Sequence, residues 1–184
     1  MIPTRLGARP AVECWSVIRP MSVNHSLLPI GDGELALLIA APAGTYDFVQ
    51  SRAADVCRLY EDGFAIISLT AEGEDDPLAF MQSGAPDAVS GWIGERVPEA
   101  HFSYGPASYY RNRFVAEVAK RLEPWTVETF AKHCDVDFLD EHDIHPGGWR
   151  APGRKESLIH AFGVYRDCVT SAAASGKHLL VWSD

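Results

Sequence analysis

The last part of the chain combines a long helical pattern with an apolar strand, and this pair limits the fold more than any other feature. Apolar residues between Glu156 and Ser175 recur at steps of 4, 3, 4 and 3: Leu158, Phe162, Tyr165, Val169 and Ala172. This spacing predicts a helix with one apolar face. Gly176 suits the left-handed position at a helix end, and His178–Trp182 then predicts a buried strand. Because both elements need a shared core, the sequence predicts a helix packed against a sheet.

The remaining patterns complete a single α+β domain, in which four or five helices pack on a small mixed sheet. We expect the first strand over Met21–Ile30, and we expect it to join the last strand in the sheet. Spacing and turn residues give the other elements: a helix from Asp32, a helix over Phe48–Tyr60, a helix or a strand over Phe64–Leu69, mainly loop over Gly84–Pro98, a helix over Asn112–Leu122 and another capped by Thr126.

The length of 184 residues suits one domain, which can bury a sizeable core without a disulfide or a metal. We divide the chain into an N-terminal extension, residues 1–20, and a domain over residues 21–184. The extension has three prolines and lacks the continuous apolar segment of a signal peptide, so we expect a cytoplasmic protein. The four cysteines are scattered, as expected for thiols in a reducing compartment: Cys14, Cys57, Cys134 and Cys168.

The charge of the chain favours a basic protein as its partner. Asp and Glu number 25 against 16 Lys and Arg, which gives a net charge of −9. Such a chain repels phosphate backbones, so we expect no nucleic-acid partner. Its longest apolar runs are far below the ~20 residues that cross a bilayer, so we expect no membrane insertion. Within the acidic run Glu72–Asp76, the carboxylates Glu74, Asp75 and Asp76 are either a contact surface that steers a basic partner or a solvated loop.

One cluster contains the residue types that bind metal ions: His133, Cys134, Asp135, Glu141, His142, Asp143 and His145. His142 and His145 are three residues apart and would face one ion on a helix. Pro146 disfavours a helix at that point, and the His-Glu-x-x-His order of zinc proteases is absent. We therefore expect neither a metal nor a cofactor, and we keep His142 and His145 as alternative metal ligands.

Known catalytic motifs are missing from the sequence. The chain has no Gly-x-Ser-x-Gly nucleophile elbow, and it has no Gly-rich phosphate loop of either common type. Three aromatic residues beside turns, Tyr104, Tyr109 and Trp149, are either core or anchors that bind a partner. These observations favour a non-enzymatic protein.

Several short motifs in order resemble the YfbM-like bacterial family of unknown function, over Met21–Asp184. The motifs are the first strand with its Asp-x-Glu-Leu helix, Tyr104-Gly105-Pro106-Ala107 followed by Tyr109, Asp143-Ile144 with Pro146 and Trp149, and the final helix with Gly176-Lys177 and Trp182-Ser183-Asp184. The resemblance implies a compact α+β domain of the bacterial cytoplasm and brings no established reaction. His145 replaces the tyrosine of the family's loop, and Ser108 replaces an arginine.

Two classes of function remain open at this point. The first is an immunity-type binding protein, which neutralises a secreted bacterial toxin by protein–protein contact, with a basic toxin as one candidate. Its contact residues would be Glu74, Asp75, Asp76, Tyr104, Tyr109 and Trp149. The alternative is a small enzyme or a ligand- or metal-binding domain that uses the Tyr104–Trp149 region. Size, acidity and the missing catalytic motifs favour the first class, and the sequence does not identify the partner.

Overall fold

The computed structural model describes residues 24–70, 94–103, 105–144 and 146–184, and these form a single α+β domain. The elements in chain order are β1 (His25–Ile30), α1 (Asp32–Ala40), α2 (Thr45–Ser51), β2 (Cys57–Tyr60), α3 (Gly63–Thr70), β3 (Glu95–Phe102), β4 (Gly105–Tyr110), α4 (Asn112–Arg121), α5 (Val127–His133), α6 (Val136–Glu141), α7 (Arg154–Ala174) and β5 (His178–Ser183). Short 3-10 turns at Pro42–Gly44 and Ala53–Asp55 flank α2. The predicted extension and the acidic run Glu72–Asp76 lie outside the described residues.

The five described strands form one sheet in the order β2-β1-β5-β4-β3, and every described pairing is antiparallel. The predicted α+β domain is confirmed, but its sheet is antiparallel where we expected a mixed one. The helices that follow β4 explain the difference. The chain leaves the sheet after Tyr110 through α4 and returns through α7, which packs on α4. It re-enters at the same end, where Leu179 pairs with Tyr110, so β5 must run back along β4.

Helices cover both faces of the sheet. Alternate residues of a strand point to opposite faces, so each strand can contribute to the core on either side. On one side, Leu27, Leu179 and Val181 join the core under α4, α5 and α7. On the other side, Leu28 and Leu180 meet residues from α1 and α2. The apolar face predicted for α7 lies in the first core, where the rings of Phe162 and Phe130 stack 4.0 Å apart. The long helix therefore contributes one face to the core and leaves the other for the surface.

The number of helices also differs from the prediction, with seven α-helices described against four or five expected. Part of the excess comes from the segment after Thr126, which contains two helices. Thr126 caps α5 by accepting a hydrogen bond from the backbone N–H of Thr129 at 3.1 Å. Asp135 then starts α6, because its carboxylate accepts hydrogen bonds from the N–H groups of Asp137 and Phe138, both at 3.0 Å. None of the helices in the described ranges has the length and apolarity needed to cross a bilayer.

Candidate functional site

Trp149, predicted as a partner-binding anchor, lies in the core and is only 1% exposed. Its indole N–H donates to the carbonyl oxygen of Ile144 at 2.8 Å, and its backbone N–H donates to a carboxylate oxygen of Asp140 at 2.9 Å. The guanidinium carbon of Arg154 lies 4.4 Å from the centroid of the Trp149 ring. These contacts fix the loop between α6 and α7, so Trp149 has a structural role in this conformation.

A buried ion pair lies under the same loop. Asp62 is 3% exposed, and its carboxylate lies 3.2 Å from the Nη2 atom of Arg154. Ser157 donates a hydrogen bond to the other carboxylate oxygen at 3.2 Å. Burial raises the pKa of Asp62, and the positive charge of Arg154 opposes this effect. The pair joins the start of α3 to the start of α7, and Arg154 at the same time covers Trp149.

Tyr109, the second predicted anchor, is also buried, with 5% of its surface exposed. Its hydroxyl donates a hydrogen bond to the carboxylate of Glu95 on the neighbouring strand. The Nε and Nη2 atoms of Arg111 donate hydrogen bonds to the same carboxylate, at 2.5 and 3.1 Å. The hydrogen bonds from Arg111 and Tyr109 lower the pKa of Glu95. This arrangement fastens β3 to β4 and leaves Tyr109 unavailable as an exposed anchor.

The remaining predicted site residues are either committed to local contacts or lie outside the described residues. His142 is exposed at the end of α6, and its Nδ1 lies 2.9 Å from the carbonyl oxygen of Phe138. Its ring lies against the Phe138 ring in a tilted arrangement, with the ring centres 4.1 Å apart. No group of three or more His, Cys, Asp and Glu residues within the described ranges could hold a metal ion. The other predicted residues lie outside those ranges: Glu74, Asp75, Asp76, Tyr104 and His145.

An open apolar groove of about 420 Å³ lies between α5 and α7, and sequence reasoning missed it. Val127, Ile159 and Val164 supply its apolar surface, together with Gly163. Val127 is 37% exposed, a large value for an aliphatic residue beside a helix-packing contact. A Cβ added at Gly163 would lie 3.6 Å from the side chain of Val127, so the missing side chain at residue 163 leaves the space open.

The sequence builds this groove from the second face of α7. Glu156, His160, Gly163 and Asp167 follow one another at steps of 4, 3 and 4, which places them in one row along the helix. The row is polar except for Gly163, and such a row is typical of a helix face that is exposed to solvent. One signal was available: Ile159 and Val164 are apolar residues that do not belong to the core stripe, and Gly163, a residue that is unfavourable inside helices, lies between them.

Carboxylates dominate the charged groups that line the groove. Glu156 and Asp167 are exposed at its two ends, and His160 lies between them. Glu128, in the first turn of the neighbouring α5, has a lowered pKa, chiefly because it accepts a backbone hydrogen bond at the helix start. The cation Arg166 lies beside this rim: its Nη1 atom is 3.9 Å from the carboxylate of Asp167, and its Nε–H donates to the carbonyl oxygen of Trp125 at 2.9 Å. The lining itself is therefore apolar with an acidic rim.

Comparisons with known proteins agree with this fold. Residues 21–182 match the profile of a family described as a domain of unknown function, DUF1877. Two solved chains match, and one is the crystal structure of YfbM from Escherichia coli, a protein of unknown function. It is 16% identical with a TM-score of 0.53, and the match covers 89% of this chain and 100% of that chain. At this identity the likeness shows the fold alone. No curated protein matches the chain.

Proposed function

Since the chain belongs to the DUF1877 family, as its resemblance to YfbM-like proteins predicted, and that description assigns no activity, we propose its function from its own surface. The protein is a non-enzymatic binding protein that holds an apolar, basic segment of a partner protein in the groove between α5 and α7. One observation carries this proposal: the groove has an apolar lining with carboxylates at its rim.

The chemistry of the groove defines the segment that fits it. A volume of about 420 Å³ accommodates one or two large apolar side chains, which would contact Val127, Ile159 and Val164. Burial of such anchors supplies most of the affinity in protein interfaces. Lys or Arg residues beside the anchors would face Glu156 and Asp167, and charges of opposite sign at a rim favour one register over others. The partner segment therefore combines one or two apolar anchors with flanking positive charges.

The charge of the whole chain supports a basic partner, and a secreted bacterial toxin with a basic surface is the partner class we propose. A net charge of −9 accelerates encounter with a positively charged protein, and this steering weakens as salt increases. The protein would act as an immunity protein in the cytoplasm, where it blocks the toxin by direct contact. The acidity of the chain and a family description without an assigned reaction support this role.

The groove replaces the anchors predicted from the sequence. Tyr109 and Trp149 are buried, and their hydroxyl and indole groups already donate hydrogen bonds within the fold, whereas Val127 is exposed in the groove. The enzyme or ligand-binding alternative relied on the Tyr104–Trp149 region, where His142 caps its own helix and Trp149 fills the core. No specific observation in the described part of that region favours catalysis, so binding is the single function that we propose.

Site-specific crosslinking in the native cell tests this proposal. A photoreactive residue at position 160 stands at the groove rim, and the same residue at Asp47 on α2 serves as the matched control on the other face of the sheet. We expect position 160 to crosslink to a basic protein that the control position does not reach. Equal crosslinking from both positions, or none from position 160, would contradict the proposal.

Two substitutions at one residue then separate groove binding from folding. Gly163→Leu fills the groove, and we expect it to weaken binding of the purified crosslinked partner by about tenfold or more. Gly163→Ala adds only a methyl group at van der Waals distance from Val127, and we expect it to keep the affinity. It should also stabilise the helix by about 0.5–1 kcal/mol, because glycine is unfavourable inside helices. Unchanged affinity in a folded Gly163→Leu protein would show that the partner binds elsewhere.

Measured association rates test the role of the acidic rim. Replacing Glu156 with Gln and Asp167 with Asn should slow association with the partner, and the difference should shrink at high salt. The matched control replaces Asp47 with Asn and Glu99 with Gln, which removes the same charge from exposed positions on α2 and β3. A control that slows association equally would mean that only the net charge matters and that the rim has no local role.

A further inference from the structure

The groove between α5 and α7 has walls that the core holds in place. Ile159 and Val164 are half-buried, and both also pack against the main core cluster. Val127, which is 37% exposed, supplies the opposite wall from α5. Gly163 lies between these walls without a side chain, and α5 is in direct contact with α7. The groove is therefore preformed, and its shape and chemistry restrict what can enter it.

The wall on α7 presents side chains to a partner, because its backbone groups are already paired. Ile159, Gly163 and Asp167 lie inside a helix that runs from Arg154 to Ala174, so their N–H and C=O groups bond to the neighbouring turns. An extended segment that binds as an added strand takes its main-chain hydrogen bonds from a sheet edge, and this wall is a helix. Such a segment would bury unpaired N–H and C=O groups on apolar side chains, which costs free energy. A helical segment pairs its own backbone and avoids this cost.

The row of residues along the groove has the length of a short helix. Glu156 and Asp167 are 11 residues apart (167 − 156), which is about 16 Å, or about three turns, at the helical rise. These two acidic residues lie at the ends of the row, and Gly163 lies between them. Because the distance between packed helices depends on the side chains at their contact, Gly163 allows a second helix to approach α7 closely.

The acidic rim is open to positive charges at both ends of this row. Glu156 is exposed, and the side chain of Asp167 is 82% exposed. The Nη1 atom of Arg166 lies 3.9 Å from Asp167, but an exposed pair of this kind contributes little. The Nε–H of Arg166 also donates to the carbonyl oxygen of Trp125 at 2.9 Å. Lys or Arg side chains on a second helix can therefore reach both carboxylates.

The next step rests on the proposed function, in which the groove holds a segment of a basic partner protein. We propose that this segment is an amphipathic α-helix of about three turns that lies beside α7. Two apolar residues three positions apart enter the groove and contact Val127, Ile159 and Val164. Lys or Arg residues four positions before the first anchor and four after the second stand opposite Glu156 and Asp167. The partner segment therefore has the pattern basic-x-x-x-apolar-x-x-apolar-x-x-x-basic, whose charged and apolar residues share one helix face.

Three synthetic peptides of twelve residues serve as probes. The first has Lys at both ends, Leu at its fifth and eighth positions, and a lactam bridge between its third and seventh side chains. The bridge lies on the outer face and keeps so short a helix folded. The second peptide has the same Lys and Leu residues, no bridge, and proline at its sixth position, which interrupts the helix. The third keeps the bridge and has Glu in place of both Lys residues.

NMR titration of the full-length, isotope-labelled protein measures the affinity of each peptide and the place where it binds. We expect the bridged basic peptide to shift the amide signals of Val127, Ile159 and Gly163 and to leave that of Asp47, on the other face of the sheet, unchanged. The proline peptide should bind about tenfold or more weakly, because it cannot hold both anchors on one helix face. The Glu peptide should also bind more weakly, because the rim repels it.

The outcomes separate this inference from the proposed function. Equal affinity of the bridged and proline peptides at the groove would overturn the helical partner while the groove remained a binding site. Failure of the bridged peptide to bind, or binding away from Val127 and Gly163, would also overturn it. Crosslinking from position 160 judges the proposed function independently. A basic protein crosslinked there through a segment without the helical pattern would reject the helix alone, whereas the absence of a crosslinked protein would reject the proposed function itself.

Discussion

Trp149 shows, at the scale of a single residue, how a loop rich in glycine and proline can still contribute to the core. Turn residues surround it in the sequence, and this setting left both a core position and an exposed partner-binding anchor open. The indole nevertheless makes a hydrogen bond to Ile144 and lies under the guanidinium of Arg154, at 4.4 Å. The carboxylate of Asp140 holds the backbone of the same residue, at 2.9 Å. The loop therefore folds around the tryptophan, and we expect a substitution of Trp149 to change the stability of the protein rather than its binding of a partner.

Replacing Trp149 with Ala should destabilise the protein by about 3–5 kcal/mol, because the large buried ring leaves a cavity and Arg154 loses its stacking partner. Urea unfolding measures this loss. Trp149→Phe keeps an aromatic face and removes the indole N–H donor, so we expect a smaller loss than for Ala. A Trp149→Ala protein with unchanged stability and impaired partner binding would return Trp149 to the role of an exposed anchor.

At the scale of elements, the sequence predicted the long helix and its following strand well and predicted the two edge strands poorly. Helix α7 has 21 residues, and five apolar residues recur along it at helical spacing, so no alternative period fits. Strand β2 has four residues, with Leu59 buried between exposed Arg58 and Tyr60, and its neighbours also fit a helical spacing. The glycines and prolines up to Pro98 predicted a loop where β3 begins, and the structure gives this strand a bulge, with φ of 66° at Glu99. Edge strands tolerate both prolines and bulges.

The candidate groove was harder to predict than the fold, because it depends on where two helices separate. The sequence gives the faces of α5 and α7 but not the space between them. Gly163 lies in that space, and its effect depends on Val127 from another helix. The sequence prediction placed the site in the Tyr104–Trp149 region because of its residue types. Whether such side chains can bind a partner depends on their burial and their contacts in the fold, which the residue types do not show. Asp62 is another example, since only the fold brings it to Arg154.

The ion pair between Asp62 and Arg154, which joins α3 to α7, should give a specific pH dependence of stability. Burial raises the pKa of Asp62 above 3.8, so the native state retains its proton at a higher pH than the unfolded state does. Between these two pKa values the native state binds more protons, and the free energy of unfolding falls as the pH rises. In Asp62→Asn this contribution is absent. The stability advantage of the parent over Asp62→Asn should therefore shrink as the pH rises from 3.8 and become constant above the native pKa.

Urea unfolding of both proteins across the acidic range measures this difference. The comparison cancels carboxylates such as Glu95 and Asp140, whose lowered pKa values act in the opposite direction in both proteins. An advantage of the parent that grows with pH would contradict the prediction. It would mean that the attraction of Arg154 outweighs the burial of Asp62.

At the scale of the whole molecule, the first and last described strands are neighbours in the middle of the sheet. β1 pairs with β5 along its full length, from His25 opposite Ser183 to Ile30 opposite His178. Residues from both strands enter the cores on both faces. The two halves of the described sheet are therefore joined only when β5 has paired with β1 and β4. The family match over residues 21–182 covers these two strands and everything between them, and it leaves residues 1–20 outside.

This arrangement predicts opposite effects for deletions at the two ends of the chain. A protein that starts at Met21 retains the whole segment matched by the family, so we expect it to unfold cooperatively at nearly the temperature of the full chain. A protein that ends at Lys177 loses β5, which lies between β1 and β4, and we expect no cooperative transition. Thermal unfolding followed by circular dichroism compares the two. Loss of cooperativity in the chain that starts at Met21 would show that residues of the N-terminal extension, such as Trp15 and Val17, belong to the core, and the domain boundary would then move towards the first residue.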